Sequence, residues 1–239
     1  MTRPFDELEL TGRARTHLQE LTAPRCTLHV EVVAPFLALC GAARAAGIDL
    51  VPISSFRDFD RQLTIWNGKF SGERPLIALD GTPLDAALLD DRERIEAILA
   101  WSALPGASRH HWGTDFDVID AAATPADYQP QLTPGEYAAE GVYARLGGWL
   151  AENLGTFGFF RPYTTFRQGV QPEPWHLSYA PVADRALRQF RPAMLSRALE
   201  QSDLAGGAQV LARLDELFGR YVVAIDAPDE SALLSPRLS

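Results

Sequence analysis

Apolar residues recur along much of the chain at the spacing of one helix face. In the segment 28–46 they fall three or four residues apart, and Gly47 follows as a helix stop. Asp58 is a suitable N-cap for a further helix. The spacing predicts helices over six stretches: 5–21, 28–46, the residues after Asp58, 91–102, 137–154 and 185–218, the last divided into two helices at 205–207.

Shorter apolar runs predict strands. The irregular segment 108–120 ends in alternation, with Phe116 and Val118 on one face and Asp117 on the other. Because no strand–helix–strand repeat is visible, the pattern predicts an α+β fold rather than a parallel sheet. The other strand-like runs are 48–54, 159–163, 175–179 and 221–225.

Two polar stretches between these elements are predicted to be long loops. Residues 67–90 are rich in Gly, Pro and Asp, and residues 121–136 are also polar. Loops of this length inside a compact domain are often functional. Lys69 lies in the first of these loops, where we expect it to be a solvated charge.

The composition is that of an ordinary globular protein rather than a disordered chain. Of the 239 residues, 46% are hydrophobic and 22% are charged. With 22 basic against 31 acidic residues the formal net charge is -9, which argues against a nucleic-acid partner and against an anionic membrane surface. The longest apolar run, 32–43, is interrupted by Pro35 and is too short to span a bilayer.

Residues 1–20 contain acidic side chains where a secretory signal would have its apolar stretch. We therefore expect a cytoplasmic location, with the periplasm as the alternative. The sequence leaves the oligomeric state open.

Three residue types are scarce enough to restrict the chemistry. Only Cys26 and Cys40 are cysteines, which excludes a disulfide framework and a cysteine-rich zinc site. Lys69 is the only lysine and is followed by Phe70, so the chain has no phosphate-binding GK[ST] motif. Histidine chemistry must come from five residues: His17, His29, His110, His111 and His176.

Imidazoles and carboxylates are concentrated in two clusters of the sequence. They are the side chains that suit zinc, and a catalytic zinc site needs three such ligands and a carboxylate base that does not bind the metal. His110, Asp117 and His176 can supply the ligands, and Glu173 the base. Glu173 stands three residues before His176, so a bend at Pro174 is needed to aim both side chains at one site.

Three ordered motifs carry a resemblance to a known family. They are 54–62 (SSFRDFDRQ), 108–117 (SRHHWGTDFD) and 173–176 (EPWH). They resemble the S-G-[YF]-R-S-x-x-x-Q, SxHxxGxAxD and ExxH motifs of the D-alanyl-D-alanine carboxypeptidases and dipeptidases of the VanY and VanX type. That family shares its zinc site with lysostaphin-like enzymes and the hedgehog signalling domain. The resemblance covers about residues 30–180.

The resemblance implies a fold, a metal and a set of functional residues. The implied fold is α+β, with a small central antiparallel sheet that carries a Zn²⁺ site and is flanked by helices. We accordingly expect a zinc peptidase domain over 1–184 and a helical extension, 185–239, packed on the same domain. The implied residues are His110, Asp117 and His176 as zinc ligands, Glu173 as the proton carrier, and Arg57, Ser108 and Gln62 at the substrate.

Arg57 has two possible roles in such a site. A guanidinium stays charged and donates in a planar fork, so Arg57 can help the zinc to stabilise the oxyanion of a hydrolysed peptide bond. The resemblance equally allows Arg57 and Ser108 to hold the terminal carboxylate or the scissile carbonyl of the substrate. The sequence leaves both roles open.

Asp115 departs from the family pattern, which usually has Ala at this position. It places a further carboxylate two residues before Asp117, on the same face of an extended segment. Asp115 can tune the site, bind substrate, or replace Asp117 as a ligand. The spacing from His110 and Gly113 favours Asp117 as the ligand.

The function implied by the resemblance is zinc-dependent hydrolysis of D-Ala-D-Ala or related terminal bonds in peptidoglycan stem peptides. An L,D-carboxypeptidase acting on stem tetrapeptides is a close alternative, since the shared motifs do not encode stereochemical preference. A zinc-containing module that binds muropeptides without hydrolysis is a second alternative, although Glu173 and Arg57 argue against it. A structural domain without metal is a third.

Overall fold

The computed structural model of the protein describes residues 3–233, with α-helices around small antiparallel sheets. Within that range the strands are β1 (Leu18–Thr22), β2 (Arg25–His29), β3 (Leu50–Ser54), β4 (Leu76–Ile77), β5 (Pro83–Leu84), β6 (Asp115–Asp120), β7 (Phe159–Phe160) and β8 (His176–Tyr179). The α-helices are α1 (Glu7–Leu10), α2 (Val33–Ala45), α3 (Phe59–Phe70), α4 (Asp91–Leu99), α5 (Pro134–Tyr137), α6 (Ala144–Asn153), α7 (Ala180–Gln189), α8 (Pro192–Glu200), α9 (Gly207–Ala212), α10 (Leu214–Phe218) and α11 (Glu230–Leu233).

A four-stranded antiparallel sheet lies at the centre and has the strand order β3-β6-β8-β7. Its inner strands are therefore β6 and β8, the two segments that hold the predicted zinc ligands Asp117 and His176. β3 is an edge strand, which accommodates Pro52, because an edge position does not require a second ladder hydrogen bond. This architecture confirms the α+β expectation.

The core is built around the apolar face of β6. The Phe116 ring packs edge-on against Phe36 of α2, with the centroids 5.1 Å apart, and against Phe159 of β7 at 5.5 Å. All residues from 104 to 120 are buried. The segment that carries the second motif is therefore also the most continuously buried part of the described chain.

Several predicted elements are confirmed. The Asp58 side chain accepts a hydrogen bond from the Arg61 amide at 2.8 Å and caps α3. Gly47 follows α2 with a φ of +74°, as a helix-ending glycine does. The strands expected at 48–54 and 175–179 are β3 and β8, and the helix expected at 91–102 is α4.

The N-terminal helix predicted over 5–21 is wrong. Only α1 is helical there, and Gly12, with a φ of +75°, follows it. Residues from Leu18 onward pair with β2 in a hairpin instead. The helix predicted from residue 28 begins five residues later, at Val33, which puts Pro35 in the first turn, where a missing amide proton has little cost.

Other predictions at the C-terminal side also need correction. The last strand expected at 221–225 is wrong, because Gly219–Val223 forms a π-helix that buries Tyr221 and Val222. The two helices expected over 185–218 are four, since Pro192 starts a new helix and a further break occurs at Arg213. The helix expected over 137–154 is shorter and begins at Ala144.

The loop expected at 67–90 contains more structure than predicted. Residues 67–70, including Lys69, form the last turn of α3, and β4 and β5 make a short antiparallel pair. A 3-10 turn, Ala86–Leu88, follows them. Lys69 is consequently half-buried on a helix, which corrects the expectation of a solvated loop charge.

The C-terminal helices contact the same core as the sheet. The Phe190 ring lies 6.2 Å from Trp112 and 5.2 Å from Phe218, and the Trp66 indole of α3 donates to the Ala205 carbonyl at 2.9 Å. Between residues 3 and 233, no helix combines the length and apolar character needed to cross a membrane.

Candidate active site

Three buried side chains meet at the centre of the sheet. His110 comes from the 3-10 helix Arg109–Trp112, Asp117 from β6 and His176 from β8. One ligand atom from each lies within 4.8 Å of the others. Asp117 Oδ2 is 3.5 Å from His110 Nε2, and Asp117 Oδ1 is 3.0 Å from His176 Nδ1. The carboxylate therefore lies between the two imidazoles, and Asp115 is not part of this group of three.

Gly113 makes the turn that joins two of these residues. It follows the 3-10 helix with a φ of +67°, which an L side chain rarely adopts. A Cβ at this position would lie 2.4 Å from Leu18 Cδ2 and 2.7 Å from the His29 amide nitrogen. The chain thus needs glycine here to bring His110 and Asp117 to the same point while the β1–β2 hairpin packs alongside.

The remaining nitrogen of each imidazole is occupied by an acceptor. His110 Nδ1 donates to the Ser55 carbonyl at 2.9 Å, and His176 Nε2 lies 2.9 Å from Asp115 Oδ2. These partners leave His110 Nε2 and His176 Nδ1 facing Asp117. Such outer hydrogen bonds select the tautomer and orientation of a metal-binding histidine.

Burial and the neighbouring charges set the protonation of these groups. Burial lowers the pKa of His110 to about 3, so its imidazole stays neutral and keeps a lone pair. Burial alone would raise the pKa of Asp117, but the nearby imidazoles and Arg57 keep that pKa below its usual range. Burial alone would lower the pKa of His176, but Asp115 and Asp117 raise it to about 10, so a metal ion would have to displace a proton from this imidazole. With that proton released, two imidazoles and one carboxylate form a donor set that fits a divalent zinc ion.

Glu173 lies beside this group but outside it. Its Oε2 atom is 3.5 Å from His176 Nδ1. The His176 amide donates to the Glu173 carbonyl at 3.1 Å, which closes a turn over Pro174 and Trp175. This turn is the bend that the sequence spacing requires. Burial raises the pKa of Glu173 to about 7, with Asp117 acting in the same direction.

Arg57 is held at the site by both its side chain and its backbone. Its guanidinium donates to Gln62 Oε1 at 2.8 Å and to Ser54 Oγ at 3.0 Å. The His111 imidazole donates from Nδ1 to the Arg57 carbonyl at 2.6 Å. Burial lowers the pKa of Arg57, whereas the charges of Asp117 and Glu173 act in the opposite direction. His111 thus supports Arg57 rather than joining the candidate ligands.

Gln62 and Ser108 occupy different positions relative to Arg57. Gln62 is fully buried and also donates from Nε2 to the Ala103 carbonyl at 2.7 Å, which fixes the amide that receives Arg57. Ser108 is buried at the start of the 3-10 helix, and its hydroxyl makes no hydrogen bond to another described residue.

Lys69 is a site residue that the sequence reasoning missed. Its positive charge acts on Glu173 together with that of Arg57. Burial lowers the pKa of Lys69 to about 8. Lys69 is seven residues after Gln62, two turns along α3, so both side chains project from one face of that helix. This spacing is the signal that could have found Lys69, had α3 been extended through residue 70.

Tyr163 and Arg109 were also missed. The Tyr163 ring lies 5.1 Å from that of His176, and the Tyr163 carbonyl accepts from the Glu173 amide at 2.8 Å. Arg109 is buried and donates from Nε to Asp115 Oδ2 at 2.7 Å. No pattern in the sequence marks either residue. Tyr163 is distant from the other site residues along the chain, and Arg109 lies in an irregular segment.

Comparisons with known proteins found similar chains. The family model described as "VanY: D-alanyl-D-alanine carboxypeptidase" matches residues 25–182. An uncharacterized protein of Haemophilus influenzae is 38% identical over 122 residues, which cover 50% of this chain and 93% of that protein.

Two solved structures are also similar. A structure described as "VanYB in complex with D-Alanine-D-Alanine" has a TM-score of 0.49 at 23% identity, covering 78% of this chain and 89% of the other. A variant of the vancomycin resistance D,D-pentapeptidase VanY in complex with Zn(II) has a TM-score of 0.49 at 20% identity, covering 82% and 92%. Since the family model spans more than half of the 239 residues, the chain belongs to the VanY D-alanyl-D-alanine carboxypeptidase family.

Proposed function

We propose that the protein is a zinc-dependent carboxypeptidase that hydrolyses the terminal D-Ala-D-Ala bond, or a related terminal bond, of peptidoglycan stem peptides. One observation carries the proposal. A buried His110–Asp117–His176 group lies beside Glu173, a carboxylate that stays outside it. Three ligands and a separate base are what metal-assisted peptide hydrolysis needs. Membership of the carboxypeptidase family supports the same reaction.

His110, Asp117 and His176 would hold the zinc ion. The outward nitrogens of both imidazoles are occupied by Ser55 and Asp115, so the inward nitrogens are available to a metal. When bound, a zinc ion supplies Lewis acidity, which polarises a carbonyl and makes a water molecule more acidic.

Glu173 is the proton carrier in this proposal. A carboxyl group whose pKa is near 7 is ionised in a large share of molecules at neutral pH and can take a proton from water. The same carboxyl then gives the proton to the leaving amine. Its burial beside His176 keeps the group close to the reacting atoms.

Arg57 and Lys69 are the two cations near Glu173, and both charges lower its pKa. The Arg57 guanidinium is fixed by Gln62 and Ser54, so it can stabilise a developing oxyanion without rearranging. Lys69 offers a second cation for the carboxylate that every carboxypeptidase substrate carries at its end. Ser108 is a further candidate for substrate contact, since its hydroxyl has no partner among the described residues.

The proposal is tested with Glu173→Gln, which keeps the size of the side chain and removes the base. We expect the variant to bind zinc in the same amount as the wild type, by elemental analysis, and to lose turnover of a muropeptide pentapeptide. Glu152→Gln changes an exposed glutamate of α6 and serves as the matched control. Full turnover by zinc-loaded Glu173→Gln contradicts the mechanism.

The substrate is identified with a panel that contains free D-Ala-D-Ala, a stem pentapeptide and a stem tetrapeptide, each with and without chelator and analysed by mass spectrometry. Release of D-Ala from the pentapeptide supports the D,D-carboxypeptidase. Release from the tetrapeptide alone supports the L,D-carboxypeptidase alternative. If wild type and Glu173→Ala bind the peptides equally and release nothing, the protein is a binding module and the proposed activity is wrong.

A further inference from the structure

Asp115 is a fully buried carboxylate surrounded by hydrogen-bond donors. Its Oδ1 atom accepts from the Ser178 hydroxyl at 2.9 Å and from the Thr114 hydroxyl. Its Oδ2 atom accepts from Arg109 Nε at 2.7 Å and lies 2.9 Å from His176 Nε2. Asp115 thus has the Arg109 guanidinium as its counter-charge in the interior.

The pairing of β6 with β8 explains why Asp115 reaches His176. Asp115 is opposite Ser178 and Asp117 is opposite His176 in the antiparallel register. Residues two apart on a strand share a face, so the two carboxylates lie on one side of β6. The His176 imidazole lies between them, with Nδ1 3.0 Å from Asp117 and Nε2 2.9 Å from Asp115.

We propose that Asp115 is a positioning residue that fixes the His176 imidazole for metal binding. The Asp115 carboxylate is paired with Arg109 and accepts from Nε2 of His176, which leaves Nδ1, on the side of Asp117, as the nitrogen that faces the metal group. The hydrogen bond also prevents rotation of the ring and makes the imidazole a more basic ligand for the metal. This proposal rests on the proposed zinc-dependent function and adds a residue to it.

Arg109 and Ser178 keep Asp115 in place. Arg109 donates to Asp115 from Nε and to the Ser178 hydroxyl from Nη2, the latter at 2.6 Å. The Ser178 hydroxyl in turn donates to Asp115. The cation offsets the cost of burying the carboxylate. If Asp115 served only to neutralise Arg109, its removal would weaken folding but leave the metal affinity of the folded protein unchanged.

The test measures zinc affinity of the metal-free protein by competition with a chromophoric chelator. We expect Asp115→Asn to bind zinc about 10- to 100-fold more weakly than the wild type, the usual effect of losing an outer partner of a metal-binding histidine. Asp120→Asn is the matched control. Asp120 is also buried on β6, but it accepts from the Asp49 and Ala122 amides, away from the three ligands.

A second readout follows the His176 ring directly. In the ¹⁵N-labelled zinc-loaded wild type, imidazole spectra should show a proton on His176 Nε2 that is shifted downfield and exchanges slowly with water. The signal should move upfield and exchange faster in Asp115→Asn and stay unchanged in Asp120→Asn. Neither change is expected if Asp115 only supports the fold.

Asp115→Asn leaves the Arg109 cation buried without its counter-charge, which can prevent folding. The double variant Arg109→Gln/Asp115→Asn removes both charges and is measured in parallel. Wild-type zinc affinity and an unchanged His176 signal in either folded variant would overturn the positioning role alone. A wild-type protein that binds no zinc would contradict the proposed function and this proposal with it.

Discussion

At the scale of single residues, the site separates two carboxylates by their surroundings. Asp117 lies between two imidazoles, which keep its pKa low, whereas burial raises the pKa of Glu173 to about 7. One carboxyl is thus suited to bind a cation and the other to exchange a proton at neutral pH. Substitution of a neighbour that shifts the pKa of Asp117 or Glu173 should therefore change the proposed activity even when the three candidate ligands are intact.

Lys69 offers the sharpest test of that balance. Its charge lowers the pKa of Glu173, so Lys69→Met should raise that pKa. The proposed mechanism needs ionised Glu173, so it predicts that activity rises with pH through this pKa. We expect the acid limb of the pH profile of kcat/KM to move to higher pH in the variant. Arg92→Met removes an exposed cation of α4 and should leave the limb in place. An unshifted acid limb in Lys69→Met would show that the charge of Lys69 does not affect the pKa of Glu173.

Arg57 should depend on its shape as well as its charge. Arg57→Lys keeps the cation but cannot donate to Gln62 and Ser54 from two nitrogens in one plane. We expect kcat to fall about 10²–10³-fold, the usual loss for one oxyanion donor, with zinc content unchanged. Arg61→Lys, an exposed arginine of α3, is the control. Wild-type kcat in Arg57→Lys would assign Arg57 to a supporting role only.

The sequence allowed some of these residues to be named and not others. The two polar clusters and the resemblance to the family motifs led to the grouping of His110, Asp117 and His176, and the structure brings their ligand atoms within 4.8 Å of one another. The spacing from Gln62 places Lys69 on the site face of α3, but its influence on Glu173 depends on the packing of α3 near a distant turn, which no local pattern encodes. The same holds for the hydrogen bonds of Asp115, which depend on the register of β6 against β8.

At the scale of elements, the turn at Gly113 connects the 3-10 helix to β6. Gly113→Ala must accept a left-handed backbone, which costs about 1–2 kcal/mol, and a Cβ 2.4 Å from Leu18 Cδ2. We expect the free energy of unfolding, measured in urea, to fall by more than the backbone cost alone. Gly148→Ala in α6 meets no atom within 4 Å and should gain up to about 1 kcal/mol. Equal shifts in the two variants would contradict this account of Gly113.

Elements were predictable where a cap or a stop marked them. Asp58 and Gly47 fixed the start of α3 and the end of α2, because their effects are local. The helix predicted over 5–21 was wrong because Gly12 ends α1 and the residues from Leu18 onward form backbone hydrogen bonds with β2 instead. The π-helix Gly219–Val223 was read as a strand because its short apolar run is compatible with either state.

At the scale of the whole molecule, we propose that the C-terminal helices, expected to be an extension packed on the same domain, form one folding unit with the sheet. Phe190 contacts both Trp112, two residues after the candidate ligand His110, and Phe218 of α10. Arg213 and Arg220 form ion pairs with Glu96 of α4. Residues beyond 184 therefore contact both the 3-10 helix that carries His110 and helix α4.

Phe190→Ala tests this unity. Removing a buried phenylalanine costs about 3–5 kcal/mol, and the loss should lower the midpoint of a single transition seen by both far-UV and near-UV circular dichroism. Phe166→Ala, at a ring that is 47% exposed, should change the midpoint little. Two separate transitions in the wild type or in Phe190→Ala would show instead that the C-terminal helices unfold on their own.

The unbroken burial of residues 104–120 has a consequence for the way the protein opens. Amide hydrogens in such a stretch exchange with solvent only when the surrounding structure comes apart, so those of 115–119 should be among the last to take up deuterium. We expect smaller fluctuations of the hairpin and the loops to leave β6 covered. We therefore expect deuterium uptake at β6 to track global unfolding, and the site to persist through every smaller opening of the chain.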